Sequence, residues 1–201
     1  MRRVEQQFSV ELETWLRSDG PKTFGEMNRV FGERGFAVTI LLLMSIPAIP
    51  LPTGGVTHVF EAITMLIGLE MVLGRTTLWL PRRLRTRELG PVLAGKAMPF
   101  IIKRIHWFEK RSRQRGALLF RQWWFSRILG LVVMGLALAA ALAPPFSGLD
   151  TLPALGAVVV ALAIILEDAI ILSVGLVIGT GGVVLIVSIG AAVAHLIRGL
   201  F

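Results

Sequence analysis

From Ile128 to Ile197 the chain runs for seventy residues without a lysine or arginine, and its only formal charges there are Asp150, Glu167 and Asp168. That is more apolar chain than a small soluble domain can bury, whereas membrane-crossing helices of about twenty residues each absorb it readily. A second apolar region, 36–74, carries only Glu61 and Glu70 as formal charges. With 54% hydrophobic residues and a mean hydropathy of +0.72, the chain reads as an all-α, polytopic integral membrane protein and not as a soluble enzyme. Cysteine is absent, which removes disulfides, thiolate zinc sites and thiol catalysis.

The net charge of +8 is concentrated in one place. Residues 1–34 balance six basic against six acidic residues, while 75–127 hold fourteen basic and two acidic ones. A basic block between two apolar regions is what the positive-inside rule expects of a cytoplasmic loop near anionic headgroups, so nucleic acid is not an expected partner. Four of the five tryptophans, Trp79, Trp107, Trp123 and Trp124, lie in or beside this block, as interfacial anchors do; Trp15 lies in the N-terminal stretch. Residues 99–110 fit an amphipathic helix in the headgroup plane. The basic cluster Arg111, Arg113 and Arg115 is the expected contact for lipid or a protein partner.

The N-terminus mixes acids with isolated apolar residues and lacks the apolar run of a signal peptide. Phe8, Leu12, Trp15 and Leu16 recur at helical spacing, and Thr23-Phe24-Gly25-Glu26 has the form of a capping box opening a second helix that Gly35 would close. The expected organisation is 1–35, N-terminal amphipathic cytoplasmic helices; 36–74, a first broken-helix membrane repeat; 75–127, the basic interfacial segment; and 128–201, a second broken-helix repeat plus a C-terminal helix.

The repeat rests on a shared grammar. In the first region a short apolar run meets Pro47, Pro50 and Pro52, then resumes as a helix to Gly74; in the second, a run ends at Pro144 and Pro145 and resumes at Pro153. Leu51 to Glu70 and Leu149 to Asp168 are each nineteen residues apart. Paired Pro/Gly-interrupted segments at matching positions point to a transporter-like site at a repeat interface, because lipid cannot satisfy broken backbone. Parallel and inverted arrangements of the halves both remain open. The final apolar stretch, with Gly179-Thr180-Gly181-Gly182 near its middle, is either one long helix or two half-helices, and Gly175 and Gly179 form a GxxxG pair.

Ionisable groups in apolar spans cost roughly 2.5 to 3.5 kcal/mol on insertion scales, so Glu61, Glu70, Glu167 and Asp168 are candidate ion- or proton-binding residues. A structural reading stands beside this one: Glu167 and Asp168 at a helix end, Glu70 reaching toward Arg75. His58 and Glu61, three residues apart, share a helix face and form a polar pair beside the break. A third metal ligand at suitable spacing is lacking, so neither a metal nor a cofactor is expected. Nucleotide, zinc-protease and serine-hydrolase motifs are missing, and no catalytic residue is assigned.

Thr23-Phe24-Gly25-Glu26, Gly32-Glu33-Arg34-Gly35, Ile46-Pro47-Ala48-Ile49-Pro50-Leu51-Pro52, Leu73-Gly74-Arg75, Trp79-Leu80-Pro81 and Glu167-Asp168 occur in an order that resembles the ExoD family of bacterial exopolysaccharide synthesis membrane proteins. The resemblance runs from about Thr23 to Leu185 and departs at Glu70, where the family pattern has glutamine, and at Ala169, where it has glycine. It implies an inner-membrane protein linked to exopolysaccharide production and alkaline tolerance. The expected activity is ion, proton or solute transport, and the alternative is an accessory of the polysaccharide machinery. The small interior suggests a homodimer.

Overall fold

The computed structural model describes residues 7–50, 57–75, 88, 95, 98–112, 115–120, 122–144 and 147–200. Among the described residues the regular structure is helical: α1 (Phe8–Arg17), α2 (Phe24–Phe31), α3 (Glu33–Met44), α4 (Thr57–Val72), α5 (Met98–Glu109), α6 (Ala117–Phe120), α7 (Trp123–Leu142), α8 (Thr151–Leu166) and α9 (Ala169–Leu200). Two of them, α7 and α9, are long and apolar enough to cross a membrane.

The helix ends follow from local chemistry. Thr23 caps α2 through its hydroxyl, which accepts from the Glu26 N–H at 3.1 Å. The Glu26 carboxylate does not complete the box; it takes Arg29 instead, whose guanidinium hydrogen bond holds that carboxyl below its usual value. Gly32, in a left-handed conformation at φ 54°, separates α2 from α3, so Gly35 lies inside α3 and does not end α2. Gly74, at φ 71°, closes α4: its N–H and that of Arg75 return to the carbonyls of Met71 and Glu70. Pro153 falls in the first turn of α8, where no intrahelical donor is lost.

Helices α3, α4, α7 and α8 form a ring in which each packs against two others. Gly68 of α4 meets Gly130 of α7 and Gly74 meets Arg127, so these two helices run antiparallel. Arg34, at the start of α3, meets Glu167, at the end of α8, so that pair is antiparallel as well. One end of the bundle therefore gathers Arg34, Arg75, Arg111, Arg115 and Arg127. The other receives the end of α3, the start of α4, the end of α7 and the start of α8, and with them the described parts of both proline breaks.

Helix α9 is continuous, without a turn at Gly179 to Gly182. It starts at the basic end and packs antiparallel on α8, so Arg198 lies at the opposite end and is not a second basic-side anchor. Its glycines do the packing. A Cβ on Gly156 of α8 would fall 2.5 Å from the Gly179 Cα, and one on Gly182 would fall 2.6 Å from Pro153. The GxxxG pair thus serves an intrachain crossing. Helices α1 and α5 form a collar at the basic end, burying Phe8 and Leu12 with Met98, Ile101, Ile102 and Ile105. Trp15 belongs to this collar: it is buried and edge-on to Phe31, so it is not available as a lipid anchor, whereas Trp107, Trp123 and Trp124 are exposed. Trp79 lies outside the described residues.

Candidate functional site

At the end bearing the proline breaks, α4 begins with a polar face inside an apolar bundle. His58 Nδ1 lies 2.7 Å from Glu61 Oε2; the Glu61 side chain is 0% exposed and that of His58 38%. The i, i+3 spacing puts both on one face, and Thr64, three residues on, continues it inward. Glu61 Oε1, the Thr64 hydroxyl and the Thr151 hydroxyl of α8 are buried and have no hydrogen-bond partner among the described residues. Asp150, just before Thr151, is within electrostatic range of Glu61. Buried polar oxygens in helical cores nearly always have partners, so Glu61 Oε1, on a fully buried side chain near the break end, is the exception that marks this face of α4.

Glu167 and Asp168 sit at the basic end and do structural work. Glu167 pairs with Arg34 at 2.7 Å and occupies the left-handed C-terminal position of α8 at φ 51°. It is the sole non-glycine residue with positive φ among the described residues. That conformation costs an L side chain about 1 to 2 kcal/mol, and the ion pair offsets it. Replacing Glu167 by alanine should therefore destabilise the fold more than replacing it by glycine, by about 1 kcal/mol, as thermal unfolding in detergent would measure. Asp168 caps α9 by accepting from the Ile170 N–H at 2.9 Å and from the Ser112 hydroxyl at 2.7 Å. The Ala169 N–H bonds the Arg115 carbonyl at 2.8 Å, tying the loop after α5 to the α8–α9 turn.

Glu70 is buried near the end of α4. Nine residues at about 100° and 1.5 Å each place it on the opposite face from Glu61 and about 13 Å further along the axis. Glu70, Glu167 and Asp168 are thus at one end and the His58–Glu61 pair at the other, beside the buried Pro47 and the exposed Pro50 and Pro144. Pro153 is buried in α8. Pro52, Pro145 and Arg113 lie outside the described residues. Arg111 stacks 3.9 Å from the Trp107 ring, and Arg115 is exposed. Among the described residues no group of three or more histidines and carboxylates is spaced to hold a metal.

Sequence reading missed Thr64 and Thr151, because a threonine in an apolar helix is ordinary until a carboxylate is found on its face. It also missed Ser9, whose N–H and hydroxyl both donate to Glu109 and whose Oγ lies 3.2 Å from His106 Nδ1. This trio is a clamp between α1 and α5 and not a nucleophile relay: the serine proton goes to the carboxylate, and His106 stands 3.9 Å from Glu109.

Fold and site together define a small all-helical protein with helices of membrane-spanning length, a basic end and a buried polar end. The chain belongs to the exopolysaccharide synthesis ExoD family, whose model matches residues 8–188. An uncharacterised protein of Synechocystis is 26% identical over 78% of this chain and 73% of its own length. Protein ExoD of Rhizobium meliloti is 30% identical over 76% of this chain and 64% of its own. No solved structure matches the chain.

Proposed function

We propose that this is a polytopic bacterial inner-membrane protein that moves a small ion, proton or solute across the bilayer, and that the transported species passes the His58–Glu61 face of α4. In this reading α7 and α9 span the bilayer, and the shorter α3, α4 and α8 are inserted in it beside them. The collar of α1, α2, α5 and α6 lies on the cytoplasmic side, where the positive-inside rule puts Arg34, Arg75, Arg111, Arg115 and Arg127. The antiparallel pairs α3–α4 and α7–α8 run in the same two directions, which supports a parallel repeat about an axis along the membrane normal.

The observation that carries this reading is a fully buried glutamate in an apolar helix, with one oxygen unpartnered among the described residues. The 16-residue helices α4 and α8 are about 24 Å long, shorter than the roughly 30 Å hydrocarbon core. Their break ends therefore stop short of the far interface, and water that reaches this end of the bundle meets the half-exposed His58. Alkaline tolerance, as the family resemblance implies, fits traffic in protons or cations. Flux into vesicles reconstituted with the purified chain tests the proposal.

The family description favours a second reading, a non-transporting accessory of the polysaccharide machinery that docks through the basic segment. Under it, charge reversal of Arg111, Arg113 and Arg115 abolishes polymer secretion while insertion is unchanged; wild-type secretion by that variant counts against it. Under the transport reading the same segment meets anionic lipid. The outward face of α5 suits that role, with Arg104 stacked on Phe100, Arg111 on Trp107 and Lys103 exposed. Crosslinking in native membranes would test the expected homodimer.

A further inference from the structure

We infer that the groove between α1 and α5 is a discrete binding site for one anionic phospholipid, its phosphate held by Lys103 and Arg17 and the first carbons of an acyl chain on an apolar floor. The inference goes beyond transport and takes from that reading only the place of the collar at the membrane surface. Along α5, residues 99, 102, 103 and 106 recur at helical spacing and form one stripe; along α1, residues 10, 13, 16 and 17 form another. The two stripes line a single cavity of about 320 Å³. Ser9, also on its wall, ties the helices together there, its N–H and hydroxyl both donating to Glu109 of α5.

The walls divide by chemistry. Val10 and Leu16 from α1 and Pro99 and Ile102 from α5 are apolar, and Val10 is 45% exposed within this concave place. Lys103 and Arg17 supply positive charge. Lys103 is exposed and makes no ion pair among the described residues. Arg17 donates one N–H to Glu13, an acid on the same wall, across an exposed pair. Such a pair contributes little to stability, so a phosphate can share the guanidinium, whose fork suits phosphate oxygens.

A ligand that satisfies both kinds of wall is an amphiphile with an anionic head. Inorganic phosphate leaves the apolar floor bare, and a choline lipid brings a cation beside Lys103. Small-ligand cavities run upward from about 300 Å³, so this one takes a phosphoglycerol head and the start of one chain while the rest of the lipid stays in the bilayer. The adjoining stripe of α5, about 100° further round, continues the pattern. There Phe100 and Trp107 are 58% and 46% exposed, with Arg104 and Arg111 stacked on their rings. Exposed aromatic rings that carry cations suit the headgroup level.

The test uses the full chain, freed of native lipid, in detergent at fixed ionic strength, with phosphatidylglycerol, phosphatidylcholine or inorganic phosphate added. Wild type is compared with Lys103→Glu, Val10→Trp, which fills the groove without changing charge, and Lys110→Glu, an exposed lysine off the cavity wall. Phosphatidylglycerol should raise the wild-type melting temperature by about 4 °C or more, and the other two additives should not. Lys103→Glu and Val10→Trp should lose most of that rise, and Lys110→Glu should keep it. No rise in the wild type overturns the inference. So does an equal loss in Lys110→Glu or a full response in Val10→Trp, since either means diffuse attraction of headgroups, and so does a rise with phosphate alone, which means a soluble-anion site. A groove-dependent lipid response without flux in vesicles counts against transport and leaves this site standing; flux without that response does the reverse.

Discussion

Glu61→Gln is expected to cut flux through reconstituted protein at least about tenfold, which corresponds to about 1.4 kcal/mol or more of lost stabilisation along the path. The amide keeps the volume and the hydrogen bond toward His58 but cannot become an anion. The helix should therefore survive while the charge exchange stops. Glu70→Gln is the control, since Glu70 lies on the other face of α4; near wild-type flux is expected there. Equal flux in wild type and Glu61→Gln would remove Glu61 from the path.

A comparably large effect is expected on stability at the α8–α9 crossing. Adding a Cβ at Gly156 gains about 1 kcal/mol of helix propensity, yet that atom would stand 2.5 Å from the Gly179 Cα and 2.7 Å from its nitrogen. Backbone cannot swing away as a side-chain tip can, so the two helices must part by more than 1 Å to reach a carbon–carbon contact of about 3.8 Å. Overpacking of this kind costs about 1 to 3 kcal/mol or more, and Gly156→Leu should lower the melting temperature by about 2 to 12 °C or prevent assembly. Gly135, with nothing within 4 Å of an added Cβ, is the matched control. Gly135→Ala should leave the melting temperature unchanged or slightly raised, and an equal loss at both positions would mean that the close crossing does not hold the bundle together.

Much of the fold was legible in the residues. The helix expected to run to Gly74 is α4, closed by that glycine; the helix expected over 99–110 is α5; and the Thr23 cap is in place. These features are set by local rules of periodicity, capping and backbone freedom. What could not be read depended on partners distant in sequence. Gly179 is one more glycine in an apolar run until α8 brings Gly156 against it. Glu167 carries no mark in the sequence of its pairing with Arg34, 133 residues away. The candidate acids were weighed one by one along the chain, whereas the ring of four helices sorts them by end and face. Glu167 and Asp168 went to caps at the basic end, and Glu61 was left at the break end with one oxygen unpartnered among the described residues.

The absence of cysteine from the chain makes one measurement especially direct. His58→Cys places a single thiol at the half-exposed position of α4 one turn outward from Glu61. In intact cells, a small membrane-impermeant thiol reagent added outside the inner membrane should modify that thiol, because water reaches it from the break end of the bundle. Protection from that side, or modification only when the reagent enters from the cytoplasm, would contradict a polar path that opens opposite the basic segment.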